Sequence, residues 1–147
     1  MKRLAALVAL ALAAFAPTAL AGTATGGGRG TVDGTSPFSD FGFGVTVGDD
    51  GIRGRFNCLM AGSSQFPGFT LMAVRGDVTN ATIGANTASF DGAGMLQTGN
   101  QGKFPATFHV EVTGGGPGFG TLRLTLLTPF FFALPTERVL VGQISIR

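Results

Sequence analysis

The chain has 147 residues, of which 44% are hydrophobic, 25 are glycine and one is cysteine. This apolar content excludes a disordered tail, and a lone cysteine excludes an internal disulfide framework. The formal net charge of +2 is too small for the basic surface that binds nucleic acid, so we expect no nucleic-acid partner. The length suits one domain with its own core.

The first 21 residues have the pattern of a secretory signal peptide. Two basic residues precede an apolar run over 4–16, and Ala19 and Ala21 form an A-x-A cleavage site before Gly22. The run is shorter than the roughly 20 residues of a transmembrane helix. Cleavage leaves eight basic residues against eight acidic ones. We therefore expect a periplasmic or extracellular protein that is not an integral membrane protein after the signal peptide 1–21 is removed.

Glycine marks the predicted domain boundary. Gly26, Gly27 and Gly28 form the one concentrated cluster near the start, so residues 22–30 are predicted to be a flexible lead-in and residues 31–147 the β-domain. The other glycines recur without the three-residue period of collagen. They are interpreted as turns and bulges between short strands.

Apolar residues alternate with polar residues or glycine over most of the chain, which is the pattern of half-buried strands. The clearest example is a hairpin over 41–58, in which the Gly-Asp-Asp-Gly turn at 48–51 joins two alternating runs. Further runs follow at the spacing typical of sandwiches and barrels. The predicted strands cover residues 41–47, 52–58, 69–75, 81–83, 87–96, 104–112, 121–126 and 139–146.

These runs predict an all-β fold, a single antiparallel β-sandwich or flattened barrel of about eight short strands, because the connections are too short for helical crossovers. An outer-membrane barrel would alternate in the same way, but it carries girdles of Tyr and Trp, and this chain contains neither. The apolar phase predicts a core that includes Phe43, Phe56, Phe108, Leu124, Leu140, Ile144 and Ile146.

The sequence contains no nucleophile elbow, zinc-binding helix or paired-cysteine motif. The sole histidine, His109, is predicted on the solvent face of a strand, in phase with Glu111. Cys58 is predicted to be a buried apolar residue, with a disulfide between chains or a reactive thiol as the alternatives. Asp49 and Asp50 could help to bind calcium, but turn chemistry explains them. We therefore predict no catalytic residue, no cofactor and no metal ligand.

The segment 129–135 is unusual because prolines bracket three consecutive phenylalanines. Three successive side chains cannot all lie on one side of a strand. In a loop, at least one ring would be exposed to a partner or to lipid. The alternative is that the loop closes an open end of the core. The residues predicted to form an interaction loop are Phe130, Phe131 and Phe132.

Glycine and phenylalanine motifs follow one another along the chain: a Gly-rich start, Phe41-Gly42-Phe43, Gly54-Arg55-Phe56, the 88–94 segment, the 114–118 segment and a closing 141–144 segment. Over nearly all of residues 22–147, this order resembles that of small secreted bacterial β-domains of the post-COAP-1 type. The resemblance implies a secreted β-fold, and the biochemical role of those domains is unknown. Those domains carry acidic residues around the Gly-Pro-Gly turn where this chain has Thr113 and Gly120, so no metal role is carried over.

The sequence thus predicts an exported, non-catalytic β-domain with an interaction or envelope-structural role, and its partner is an unknown protein or envelope component. The alternative is a small-ligand or glycan-binding module. The lack of Tyr and Trp counts against a glycan, because those rings stack on sugars while their polar groups reach hydroxyls. A hydrolase is the third hypothesis, and it requires a deep cleft that brings His109 together with an acid and a hydroxyl.

Overall fold

The computed structural model describes residues 20–61 and 71–147, so the predicted signal peptide lies almost entirely outside the described residues. In these two ranges every regular element is a strand, and no helix has the length and hydropathy to cross a membrane. The strands are β1 Gly22–Thr31, β2 Ser39–Gly48, β3 Gly51–Ala61, β4 Leu71–Ile83, β5 Thr87–Thr98, β6 Gly102–Thr113, β7 Thr121–Thr128, β8 Phe132–Ala133 and β9 Glu137–Ile146.

All nine strands belong to one antiparallel sheet, which confirms the all-β, antiparallel prediction. Strands β1 to β6 pair in sequence order, and β1 also pairs with β9. Strand β7 pairs with β6 on one side and with β9, over two residues, on the other. The pairings therefore run in a closed circuit through eight strands, and the two-residue β8 adds to β7.

The hairpin predicted over 41–58 is confirmed. Gly48 pairs with Gly51 around a two-residue turn, and Phe43 lies opposite Phe56, so that both rings point to the same face. Gly51 has a φ of +98°, which residues with a side chain rarely adopt. In this segment the alternation of apolar residues and the residues of the turn indicate the same hairpin.

Most strands are longer than predicted. The runs predicted over 69–75 and 81–83 are one strand, β4, and the start predicted at Phe69 lies outside the described residues. The register of β4 against β5 shifts between Val78 and Asn80. A bulge therefore continues the strand where the sequence indicated a boundary.

The glycine-rich residues 22–30 do not precede the first strand, because they form it. Strand β1 lies between β2 and β9 and pairs with both. A Cβ on Gly26 would lie 2.4 Å from the Phe43 ring, and one on Gly30 would lie 1.9 Å from the Glu137 carboxylate. Glycine in this strand thus makes room for large side chains from neighbouring strands, a use that the turn interpretation missed.

The core lies on the inner face of the sheet and contains a connected group of phenylalanine rings. The centroids of Phe56 and Phe108 are 5.2 Å apart. Phe90 joins this pair to Phe43, with centroid distances of 5.8 Å to Phe56 and 5.5 Å to Phe43. Burial confirms five predicted core residues, namely Phe43, Phe56, Phe108, Leu124 and Ile144.

The last strand differs from the prediction at Leu140, which is only half-buried, whereas Val139 is buried. Arg29 of β1 opposes Val141, but its neighbour Gly30 opposes Val139. Leu140 is therefore the extra residue of a bulge, and a bulge reverses the phase of alternation. The odd-numbered residues of β9 face inward before it, and the even-numbered residues face inward after it.

Candidate functional site

The loop after β7 places three phenylalanine rings in different environments. Phe131 is 73% exposed and Phe130 is 38% exposed. Phe132 begins β8 and packs against the core. Leu134 is buried, and its N–H donates to a β7 carbonyl over 3.0 Å. The segment is thus attached to the core and to the sheet on one side of Phe131 and presents that ring outward.

Other exposed apolar residues lie on the strands next to this loop. Met95 on β5 and Leu127 near the end of β7 are both exposed, as are Phe130 and Phe131. Pro105 on β6 lies directly opposite Met95 and is exposed as well. These five residues, Met95, Pro105, Leu127, Phe130 and Phe131, are called the apolar patch below.

A bulge at the end of β7 turns Leu127 outward. Thr107 on β6 opposes Thr128, whereas the next residue, Phe108, opposes Leu126. Leu127 is therefore left without an opposite residue, and its side chain is 40% exposed. The hydroxyls of Thr107 and Thr128 are 2.8 Å apart. This contact joins the two strands at the point where the chain leaves the sheet for the loop.

A second exposed ring, Phe119, lies at the other end of β7. It belongs to the 114–120 connection between β6 and β7. The connection runs along β9, since the Gly118 N–H donates to the Val139 carbonyl and Gly115 pairs with Ile144. The length of β7, about 26 Å for an eight-residue strand, separates this ring from the apolar patch.

His109 contacts Asp91 rather than Glu111, its predicted companion. His109 Nδ1 lies 2.7 Å from Asp91 Oδ1 on the facing strand. Glu111 instead opposes Arg123, with Oε2 and Nη1 4.0 Å apart. Directly opposite residues are about 5 Å apart, closer than the roughly 6.7 Å between positions i and i+2 of one strand. His109 and Glu111 therefore each contact the residue opposite on the neighbouring strand instead of each other.

The His109–Asp91 pair lies on an open face of the sheet. The two side chains are 35% and 42% exposed. Thr125 is opposite His109 on β7 and is itself buried. An acid and a hydroxyl therefore neighbour the histidine in the sheet. In the described part of the chain, no three His, Cys, Asp or Glu side chains are placed to hold a metal ion.

A shallow polar cavity of about 480 Å³ lies beside this pair, at the ends of β5, β6 and β7. The strand register explains why hydroxyl groups line this cavity, because Thr87, Thr113 and Thr121 are directly opposed on the three strands. Glu111 and Arg123 belong to the next row. We call it the hydroxyl cavity, and its polar lining comes from Thr82, Thr87, Ser89, Glu111, Thr113, Thr121, Arg123 and Thr136.

Glu137 is a buried acid that the sequence analysis missed. Its side chain is 1% exposed, and its carboxylate accepts a hydrogen bond of 2.5 Å from Ser39 Oγ. Gly30 leaves the space that the carboxylate fills. Burial raises the pKa of Glu137 to about 7, although the Ser39 hydrogen bond acts in the opposite direction. The sequence phase did not identify it, because the phase of Ile144 and Ile146 places Glu137 on the outer face and the bulge at Leu140 reverses that phase.

Cys58 is buried near this acid, which confirms its predicted burial. Burial, together with the negative charges of Glu137 and Asp40, raises the pKa of the Cys58 thiol to about 12. The thiolate is the nucleophilic form of cysteine, so this thiol is unreactive at neutral pH.

The turn acids make local contacts. The Asp33 carboxylate accepts hydrogen bonds of 2.7 Å from the backbone N–H groups of Ser36 and Thr35, and these bonds hold the pKa of Asp33 well below its usual range. Asp49 and Asp50 are exposed in the hairpin turn. Turn formation accounts for the hydrogen bonds that Asp33 Oδ1 accepts.

No protein family, curated protein or solved structure matches the chain. The resemblance to post-COAP-1-type domains therefore stays a prediction.

Proposed function

We propose that the protein is an exported, non-catalytic β-domain with an interaction or structural role in the cell envelope, and that the apolar patch is its contact surface. The 73% exposure of Phe131 carries this proposal. Aromatic rings supply much of the binding energy where proteins meet their partners. Because Phe132 and Leu134 already attach the segment to the core, a partner that covers Phe131 does not have to order the loop first.

We infer further that the sheet is a flattened barrel rather than a sandwich. The inference is supported by the β6–β7 and β7–β9 pairings, which join the two ends of the strand order. A closed sheet has no long free edge to which another chain can add. A partner would then contact side chains on the outer face and loops such as 129–131.

We propose that export uses the predicted signal peptide and that the mature chain begins at Gly22. This is supported by the position of the bond after Ala21, which directly precedes β1, and by the 77% exposure of Leu20. N-terminal sequencing of exported protein is expected to start at Gly22. Exported protein that retains Met1 would contradict the assignment.

The contact surface is tested with Phe131→Ser in the producing cell. The unchanged protein is expected to fractionate with the cell envelope, and the variant is expected to move to the soluble fraction with an unaltered melting temperature. Phe119→Ser is the matched control, because it removes an equally accessible ring from the other end of β7. Envelope retention and sedimentation behaviour of Phe131→Ser that equal those of the unchanged protein would refute the proposal.

A second candidate function is the binding of a small polar ligand such as a saccharide, which the hydroxyl cavity favours. Its hydroxyls donate and accept hydrogen bonds, and the Arg123 guanidinium and Glu111 carboxylate add one charge of each sign. Titration of the isotope-labelled protein with glucose and maltose is expected to shift the amide signals of Thr113 and Thr121. The absence of shifts at these positions would remove this candidate.

A further inference from the structure

Two cations lie beside the apolar patch. Arg75 on β4 directly opposes Met95, and Lys103 is two residues before Pro105 on the same face of β6. Neither cation takes part in an ion pair among the described residues. The acid two residues along β4, Asp77, lies 3.3 Å from the Arg55 guanidinium.

Register places the strand residues of the patch and both cations on neighbouring strands. Pro105 is two residues before Thr107, which opposes Thr128 at the end of β7. Successive same-face residues are about 6.7 Å apart and neighbouring strands about 4.8 Å apart, so these strand residues fit within about 20 Å. Phe130 and Phe131 are two and three residues beyond Thr128, where the chain leaves β7.

The size and charge of the patch indicate what it can bind. A fully exposed side chain of this kind offers roughly 150–200 Å². Met95, Leu127, Phe130 and Phe131 are 38% to 73% exposed, so with Pro105 the patch offers on the order of 400 Å². A symmetric contact with a second copy of the chain would bring two patches with the same cations together, and like charges disfavour such a contact. An anionic lipid surface attracts these cations, and a few apolar side chains give reversible binding at the headgroup boundary.

We propose that the apolar patch binds an anionic lipid surface, with Phe130 and Phe131 entering the headgroup boundary and Arg75 and Lys103 facing the lipid phosphates. The proposal rests on the proposed function and names the partner of the same surface. Cations near an anionic membrane each add attraction that falls off within the ionic screening length.

The chain contains no tryptophan and no tyrosine, so a single introduced tryptophan reports only its own surroundings. Phe131→Trp is mixed with vesicles of equimolar phosphatidylcholine and phosphatidylglycerol, and its emission is expected to shift to shorter wavelength. Phe119→Trp, an equally exposed position at the other end of β7, is expected to show no shift. Both variants carry the same N-terminal residues. If the apolar N-terminal segment bound the vesicles, it would act on both variants, so it cannot produce a difference between their emission shifts.

The charge contribution is tested by reversing both cations, Arg75→Glu with Lys103→Glu, in the Phe131→Trp chain. We expect the affinity for the anionic vesicles to fall by about tenfold or more. Binding to vesicles of phosphatidylcholine alone is expected to stay weak and unchanged. Both cations are exposed, so the melting temperature is expected to remain the same.

Three results would overturn the lipid proposal. The first is an emission of Phe131→Trp that anionic vesicles leave unchanged, and the second is an equal shift of Phe119→Trp. The third is a shift that depends on protein concentration without vesicles, which would make a second copy the occupant. If Phe131→Ser still releases the protein from the envelope in any of these cases, the proposed function stands and only the lipid partner is lost.

Discussion

The sheet has a regular region, β2 to β6, and an irregular one, β7 to β9. In the regular region each strand pairs with the next over seven to twelve residues, with one bulge in β4, and the phenylalanine rings lie inside. In the irregular region β7 and β9 share two pairs, both strands contain a bulge, and β8 is two residues long. The regular region holds the phenylalanine core, whereas the irregular region contains the exposed Phe131 and the buried acid Glu137.

The largest expected effect lies in the regular region. Phe108 is fully buried against Phe56, so Phe108→Ala is expected to cost about 3–5 kcal/mol of unfolding free energy in urea denaturation. Phe119→Ala serves as the control and is expected to change it by less than about 0.5 kcal/mol. A loss below about 1 kcal/mol for Phe108→Ala would mean that β6 presents its other face to the core.

The buried acid gives the next largest effect, through pH. The pKa of Glu137 is raised from an ordinary 4.5 to about 7 in the folded chain. The folded state therefore holds this proton more tightly than the unfolded state, and stability falls as pH rises from about 4.5 to about 7, then levels off. The shift corresponds to about 3 kcal/mol.

Glu137→Gln keeps a hydrogen-bonding side chain without the titration. The difference in unfolding free energy between this variant and the unchanged protein is expected to widen across that pH range, because only the unchanged protein loses stability at this position. If the unfolding free energies of the two proteins changed with pH in parallel, the Glu137 carboxylate would have to be in contact with water.

A smaller effect tests the close approach inside the regular region. A Cβ on Gly92 would lie 2.3 Å from the Phe108 ring, whereas one on Gly44 would meet nothing within 4 Å. Gly92→Ala is expected to cost about 1–3 kcal/mol, and Gly44→Ala is expected to cost little. Equal thermal stability of the two variants would show that the ring can move aside without cost.

The regular region is the part that the sequence predicts well. Phase and a two-residue turn identify the hairpin from Phe41 to Cys58, and the same phase identifies Phe108 as core. The bulge at Leu140 was not predicted, because one extra residue reverses the phase without any sequence marker. The His109–Asp91 contact was not predicted either. Cross-strand neighbours depend on how two strands are aligned, and the alternation within one strand does not specify that alignment.

The most direct test of the central claim compares two adjacent rings in the irregular region. The claim is that the loop attaches through Phe132 and presents Phe131. Urea denaturation is expected to show a loss of about 2 kcal/mol or more for Phe132→Ser, and less than about 0.5 kcal/mol for Phe131→Ser. A loss of about 2 kcal/mol for Phe131→Ser would contradict the account, because that ring would then close the core instead of forming a contact surface.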